Sequence, residues 1–128
     1  MNISHVQFLT VPVADQAKAR DFYVGTLGFE LLLDHRGPHG QFVMVGPRGA
    51  RTGLVLVDYP VAGLEQGGPL HFQLHTGDVD ADVAELRAAG VDVAEPRKMP
   101  WGRASSLKDL DGNTIGLLEP SEFGNRPR

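Results

Sequence analysis

The residues best suited to chemistry form one alternating run, His71-Phe72-Gln73-Leu74-His75. Successive side chains of a strand point to opposite faces, so the three polar residues would share one face and the two apolar residues the other. His71 and His75 would lie about 13 Å apart along an extended strand, too far for both to hold one metal ion. His71 and Gln73 could converge on one ligand. A sheet with one solvent-exposed face explains the same pattern without any ligand, so both interpretations stay open.

A second candidate is the segment Pro100-Trp101-Gly102-Arg103, which contains the only tryptophan of the chain. The indole of Trp101 offers a stacking surface, and the guanidinium of Arg103 offers a fork that binds anions. A tryptophan that covers the end of the hydrophobic core would give the same sequence. The segment therefore indicates either a ligand contact or a structural cover.

The segment Asp109-Leu110-Asp111-Gly112-Asn113 has the composition of a calcium loop without its spacing. An EF-hand loop needs glycine at its sixth position and glutamate at its twelfth. Here glycine is fourth and the twelfth position is Pro120. We interpret the segment as a hairpin turn whose aspartate and asparagine side chains cap backbone amides.

Two helices must position these segments, and each has a start and a stop signal. The first is predicted from the N-cap Asp15 to Leu27, ending at Gly28, and the second from the N-cap Asp78, ending at Gly90. In the first helix one face carries Ala19, Phe22, Tyr23 and Leu27, and in the second the stripe predicted to be buried is Val79, Val83 and Leu86.

Strand-like segments surround these helices in the same order twice, with the two copies about 63 residues apart. One segment precedes each helix and three follow it. They are 6–13, 30–33, 41–45 and 53–57 in the first copy, and 70–76, 91–94, 104–107 and 114–118 in the second. The modules, about 3–57 and 70–120, are joined by the glycine- and proline-containing linker 58–69 within a single 1–128 domain. Duplicated modules typically bury a pseudo-symmetric cleft, where function would lie.

The bulk composition excludes several classes of protein. The chain has 128 residues, a net charge of −4 and no cysteine. The charge argues against nucleic-acid binding, and the lack of cysteine excludes disulfides, thiolate nucleophiles and cysteine-based zinc sites. The sequence shows no secretory signal and no run of roughly 18 apolar residues. We therefore expect a cytoplasmic protein that has no membrane partner.

In the order and spacing of its motifs, the chain resembles the vicinal oxygen chelate superfamily, which includes glyoxalase I, bleomycin-resistance proteins and extradiol dioxygenases. The resemblance spans about residues 4–120. The segments that carry it are 11–15, 21–23, 27–29, 78–80, 86–91, 100–103 and 109–113. It implies an α+β fold of two tandem β-α-β-β-β modules, whose strands form a curled mixed sheet around a small-molecule cleft. It also implies a homodimer.

The resemblance further implies metal-ligand positions at matching points of the two modules. In the first strands these positions are Phe8 and His71, and in the last strand of the second module the position is Gly116. The matching strand of the first module, 53–57, contains no ligand type, and Glu119 has the wrong strand parity to replace Gly116. His71 is the one retained metal-ligand position. Because metal affinity needs several convergent donors, we expect no cofactor.

Two main functions are compatible with this resemblance. The first is a metal-independent protein that binds a small molecule, with Phe8 and Trp101 as stacking surface and His71, Gln73 and Arg103 as polar contacts. The second is a glyoxalase-like lyase or isomerase, or a dioxygenase. There His71 would act as general base or would hold a divalent Zn, Ni, Mn or Fe ion, and Arg103 would stabilise an oxyanion. A scaffold with a vestigial cleft is a third possibility.

Overall fold

A computed structural model describes residues 1–37, 40–59 and 70–121 of the chain. The chain divides into two compact units, Met1–Gly68 and Pro69–Arg128. The elements of the first unit are β1 (Phe8–Pro12), α1 (Gln16–Asp21), β2 (Glu30–Gly37), β3 (Gly40–Gly46) and β4 (Gly53–Val57). Those of the second unit are β5 (His71–His75), α2 (Val79–Ala88), β6 (Arg97–Met99), β7 (Gly102–Lys108) and β8 (Thr114–Pro120). Most of the predicted linker, residues 60–69, lies outside the described residues.

Each unit contains a four-stranded mixed sheet of the same topology. The strand order is β1-β4-β3-β2 in the first unit and β5-β8-β7-β6 in the second. In both, the strand before the helix pairs in parallel with the last strand, and the other two pairings are antiparallel. The prediction of an α+β fold built from two β-α-β-β-β modules is confirmed. None of the described helices is long and apolar enough to cross a membrane.

The helix of the second unit agrees with its prediction. The carboxylate of Asp78 accepts a hydrogen bond from the backbone N–H of Ala81 at 3.0 Å, as an N-cap does. Gly90 follows the helix with φ 85°, a conformation that favours glycine. The three side chains predicted to be buried, Val79, Val83 and Leu86, are buried.

The first predicted helix, Asp15 to Leu27, is only partly α-helical. Helix α1 ends at Asp21, and the chain continues as a π-helical turn over Phe22–Thr26, closed by the bond from Leu27 N–H to the Phe22 carbonyl at 3.0 Å. Tyr23 is fully buried at this turn and packs against Phe29. The residues 24–26 are Val, Gly and Thr, which are weak helix formers, so tertiary packing sets the local geometry.

The prediction of a strand over 91–94 was wrong. Within this segment only Val93 forms a bridge, an isolated one to Leu107, and the edge strand of the sheet is instead β6. Pro96 between the two has no backbone N–H to donate to a ladder. The two basic residues at the start of β6 are typical of an edge strand that faces water, but they lack the apolar alternation by which strands are recognised in a sequence.

The predicted hairpin turn between β7 and β8 is built around one buried carboxylate. Oδ1 of Asp109 accepts hydrogen bonds from the backbone N–H groups of Asp111 and Asn113, both at 2.9 Å. Oδ2 accepts from Nδ2 of Asn113 at 2.7 Å. Oδ1 of Asn113 in turn accepts from the backbone N–H of Leu70 at 2.8 Å, which joins the turn to the start of β5. The interpretation of this segment as a capped turn is confirmed.

We predict that Asp109→Ala lowers the free energy of unfolding by about 2–4 kcal/mol, because it leaves several donors without their acceptor at a buried site. Urea denaturation at pH 7 measures this. Asp92→Ala is the matched control, since Asp92 is an exposed aspartate of the same unit, and it should change the free energy of unfolding by less than about 0.5 kcal/mol. Equal effects of the two substitutions would contradict the role given to Asp109.

Candidate functional site

Each sheet has one face that carries the helix of its unit and an opposite face, which we call the open face. In β5 the side chains of His71, Gln73 and His75 are exposed on the open face, whereas Phe72 and Leu74 are half-buried on the helix side. The predicted alternation of this strand is confirmed. The pairing register places other residues on these faces, because residues paired directly across two strands point to the same side.

On the open face of the second unit, the structure brings His71 and Gln73 together. Their Nε2 atoms lie 3.1 Å apart, at hydrogen-bond distance. The carboxamide of Gln73 lies directly over Gly116, its register partner in β8. A Cβ atom placed on Gly116 would be 2.1 Å from Oε1 of Gln73, so the amide fills the space of the missing side chain.

The open face of the first unit is largely apolar, with Thr10 as the register partner of Val55 and His35 as that of Phe42. The rings of Phe8 and Phe42 meet edge to face, with centroids 5.9 Å apart and an interplanar angle of 80°. Phe8 is 39% exposed. Met44, Val55 and Leu33 continue this face, since Met44 is the register partner of both Val55 and Leu33. The result is an aromatic pair set in an aliphatic surface.

Sequence reasoning selected Phe8 but missed Phe42. Phe8 occupies a position at which the family resemblance implies a metal ligand, whereas Phe42 lies in a strand without any motif. The alternation of β3 contains the signal that could have found it, because Phe42 and Met44 share one parity while the buried Val43 and Val45 share the other. Only the pairing register shows that Phe42 and Met44 lie on the same face of the sheet as Phe8.

Arg103 lies on the helix side of its sheet, away from His71 and Gln73. Its Nε and Nη2 atoms donate to the two carboxylate oxygens of Asp80 on α2, at 2.7 and 2.8 Å. This bidentate hydrogen bond lowers the pKa of Asp80 below its usual 3.8 and raises the pKa of Arg103. Its register partner Glu119 also faces the helix and accepts from the N–H of Val79 at 2.9 Å. Arg103 thus holds α2 against the sheet.

Trp101 lies at the tip of the β6–β7 hairpin, in the two-residue connection between Met99 and Gly102. Its side chain is 46% exposed, so much of the indole is available for stacking. Gly102 has φ 147°, and a Cβ there would lie 2.3 Å from the carbonyl oxygen of Glu119. Only glycine fits this close approach of the two backbones, which fixes where β7 begins, directly after Trp101.

The residues at the expected metal positions do not fit a divalent ion. Phe8 and Gly116 supply no donor atom, and the space over Gly116 is filled by the Gln73 amide. His71 and Gln73 together offer one imidazole and one neutral amide. No group of three or more His, Asp or Glu side chains that could hold a metal lies within residues 1–37, 40–59 and 70–121. A stable site needs more converging donors than these.

Residues 2–117 match the sequence profile of the Glyoxalase/Bleomycin resistance protein/Dioxygenase superfamily. The chain belongs to this superfamily. The resemblance found in the motifs is therefore confirmed, and the match covers both units.

Comparison with individual relatives gives the same result. TnmS3, an antibiotic-binding protein from Streptomyces sp. CB03234, is 52% identical and superimposes with a TM-score of 0.87, covering 94% of this chain and 99% of its own. A glyoxalase/bleomycin resistance protein from the same organism is 48% identical with a TM-score of 0.78, covering 90% and 100%. The uncharacterized protein YetH of Bacillus subtilis (strain 168) is 32% identical over 121 residues, which are 91% of this chain and 99% of YetH.

We predict that Arg103→Gln lowers the free energy of unfolding at pH 7 and that the difference from the wild type disappears in acid. The pKa of Asp80 is depressed in the folded state, so the pair stabilises the protein above the usual value of 3.8 and ceases to do so as the pH falls through the lower folded pKa. Urea denaturation from pH 7 to pH 2 tests this. Arg97→Gln, in the exposed strand β6, is the control. A difference that persists undiminished at pH 2 would show that Asp80 is not the partner that matters.

Proposed function

We propose that this protein binds a planar, largely apolar small molecule, such as an aromatic antibiotic, without chemical conversion and without a metal ion. The observation that carries the proposal is the aromatic pair of the exposed Phe8 and the half-buried Phe42 on the open face of the first unit. Ligand pockets are predominantly lined by apolar and aromatic side chains with a few polar groups that fix orientation. This face has that apolar composition.

The energetics favour a flat aromatic guest over a flexible polar one. An edge-to-face pair presents the face of one ring and the edge of the other. An aromatic ligand can stack on the first ring or meet the second edge to face. Burial of the exposed parts of Phe8 and of Leu33 on the same face would contribute favourable hydrophobic free energy. The net charge of −4 would favour a cationic guest weakly.

The relatives support the same class of ligand. TnmS3 is an antibiotic-binding protein, and half of its residues are identical to those of this chain over nearly the full length of both. In the second unit, we propose His71 and Gln73 as polar ligand contacts and Trp101 as a stacking surface. Arg103 we assign to the positioning of α2, because the two donors that it directs at Asp80 are already in use.

The family resemblance also supports a homodimer, which we include in the proposal together with a cytoplasmic location. Multi-angle light scattering at micromolar concentration tests the oligomeric state. A monomer mass of 13.8 kDa would be doubled if the dimer forms.

A metal-independent lyase is the second candidate. It is favoured by the exposed His71, whose contact with Gln73 orients its imidazole as the partner of a general base does. Turnover of the hemithioacetal of methylglyoxal and glutathione, present in the wild type and abolished in His71→Ala, would establish this alternative. Recovery of an unchanged antibiotic after prolonged incubation supports binding alone.

We predict that Phe42→Ala weakens the binding of doxorubicin, a planar cationic antibiotic, by about tenfold or more, because a buried aromatic contact is lost. Titration followed by doxorubicin fluorescence measures the dissociation constant. Leu110→Ala is the control, since Leu110 is 61% exposed in the β7–β8 turn. No binding to the wild type, or equal binding to Phe42→Ala, would contradict the proposed site.

A further inference from the structure

Gly116 has no backbone reason to be glycine. Its φ is not positive, and it lies in the middle of β8, where any L-residue could be accommodated. What distinguishes it is the side chain above it. An ideal Cβ would lie 2.1 Å from Oε1, 2.4 Å from Cδ and 2.4 Å from Nε2 of Gln73. The missing side chain is therefore used as a seat for the Gln73 carboxamide.

The seat determines what Gln73 can do. A glutamine on an exposed strand face normally samples several rotamers, whereas here its amide lies on the sheet within 3.1 Å of His71 Nε2. Across the register, Ser106 lies beside Gly116 and Thr114 beside His71, both half-buried on the same face. A carboxamide has two donor hydrogens and an acceptor oxygen, so one bond to His71 does not use all of its hydrogen-bonding capacity.

We propose that Gly116 is a specificity-determining position. By holding Gln73 in place it creates, on the open face of the second unit, a hydrogen-bonding subsite for a hydroxyl or carbonyl group of a small molecule, formed by the Gln73 carboxamide and the His71 imidazole. The inference rests on the proposed function and adds the polar recognition element to it. Gly116, which supplies no donor to a metal ion, thus provides the space in which Gln73 is held for a neutral polar group.

Substitution of Gly116 by alanine separates this role from a structural one. The atoms that a new Cβ would meet are the far end of a flexible side chain, so Gln73 can rotate away while the backbone stays in place. The variant should fold, with the amide displaced and the bond to His71 lost. Gly77→Ala is the matched control, because Gly77 lies in the same unit, its φ is not positive, and a Cβ added there would meet nothing within 4 Å.

The first measurement is the long-range ¹H–¹⁵N NMR spectrum of the His71 imidazole. Gly116→Ala and Gln73→Ala should both shift its ring resonances away from the wild-type positions, whereas Gly77→Ala should not. Urea denaturation should show that all three variants remain folded. An unchanged His71 spectrum in Gly116→Ala would show that Gly116 does not hold the Gln73 amide next to His71.

The second measurement is a double-mutant cycle with doxorubicin as the probe. Gly116→Ala and Gln73→Ala should each weaken binding about five- to tenfold, the effect of one hydrogen bond, and the double variant should be no weaker than either. Independent losses that multiply, or unchanged binding by Gly116→Ala, would overturn the inference. If Phe42→Ala still weakens binding in that case, the proposed function stands. Failure of the wild type to bind doxorubicin would overturn both.

Discussion

The parallel pairing between the first and last strands of each unit is the constraint on which the remaining architecture depends. It joins segments that are distant in the chain, and it decides which side chains lie next to one another on the open faces. In the second unit it aligns His71 with Thr114 and Gln73 with Gly116. A slip of one residue would turn every side chain of a strand to the opposite face, so the contact between the amide and its glycine requires this register.

A polar cluster at the start of β5 contributes to holding its register. Asn113 accepts a hydrogen bond from Leu70 N–H, and Thr114 N–H donates to the Leu70 carbonyl at 2.8 Å. The carboxylate of Asp109 in turn accepts hydrogen bonds from the backbone N–H and the side-chain amide of Asn113, which hold Asn113 in place. A turn that has the composition of a cation loop therefore sets the alignment of two strands, and through it the geometry of the candidate site.

The sequence predicts those parts of the fold that depend on local chemistry. The cap at Asp78, the glycine at position 90 and the turn after Asp109 each have a local cause, and each is found in the structure. The strand β6 and the π-helical turn were missed, because the first lacks apolar alternation and the second depends on the burial of Tyr23. In these two cases tertiary contacts override the local signal.

The candidate site likewise has parts that the local sequence predicts and parts that depend on tertiary contacts. Alternation within one strand predicts that His71 and Gln73 share a face, but it gives no information on which residues of other strands join them. The contact of Gln73 with Gly116, the pairing of Phe8 with Phe42, and the ion pair of Arg103 with Asp80 all connect separate segments. Such contacts follow from register and helix placement, which a single sequence does not show directly.

Strand β2 has a consequence for the behaviour of the protein at high concentration. It is the last strand of its sheet, and its register shifts between Leu31 and Leu33, where the pairing with β3 is irregular. Leu31, Leu32 and Leu33 are all exposed. Three consecutive exposed leucines on a flat edge would be a template for cross-β aggregation. A bulge bends a strand and increases its local twist, so the irregularity between Leu31 and Leu33 makes this edge a poorer template for self-polymerisation.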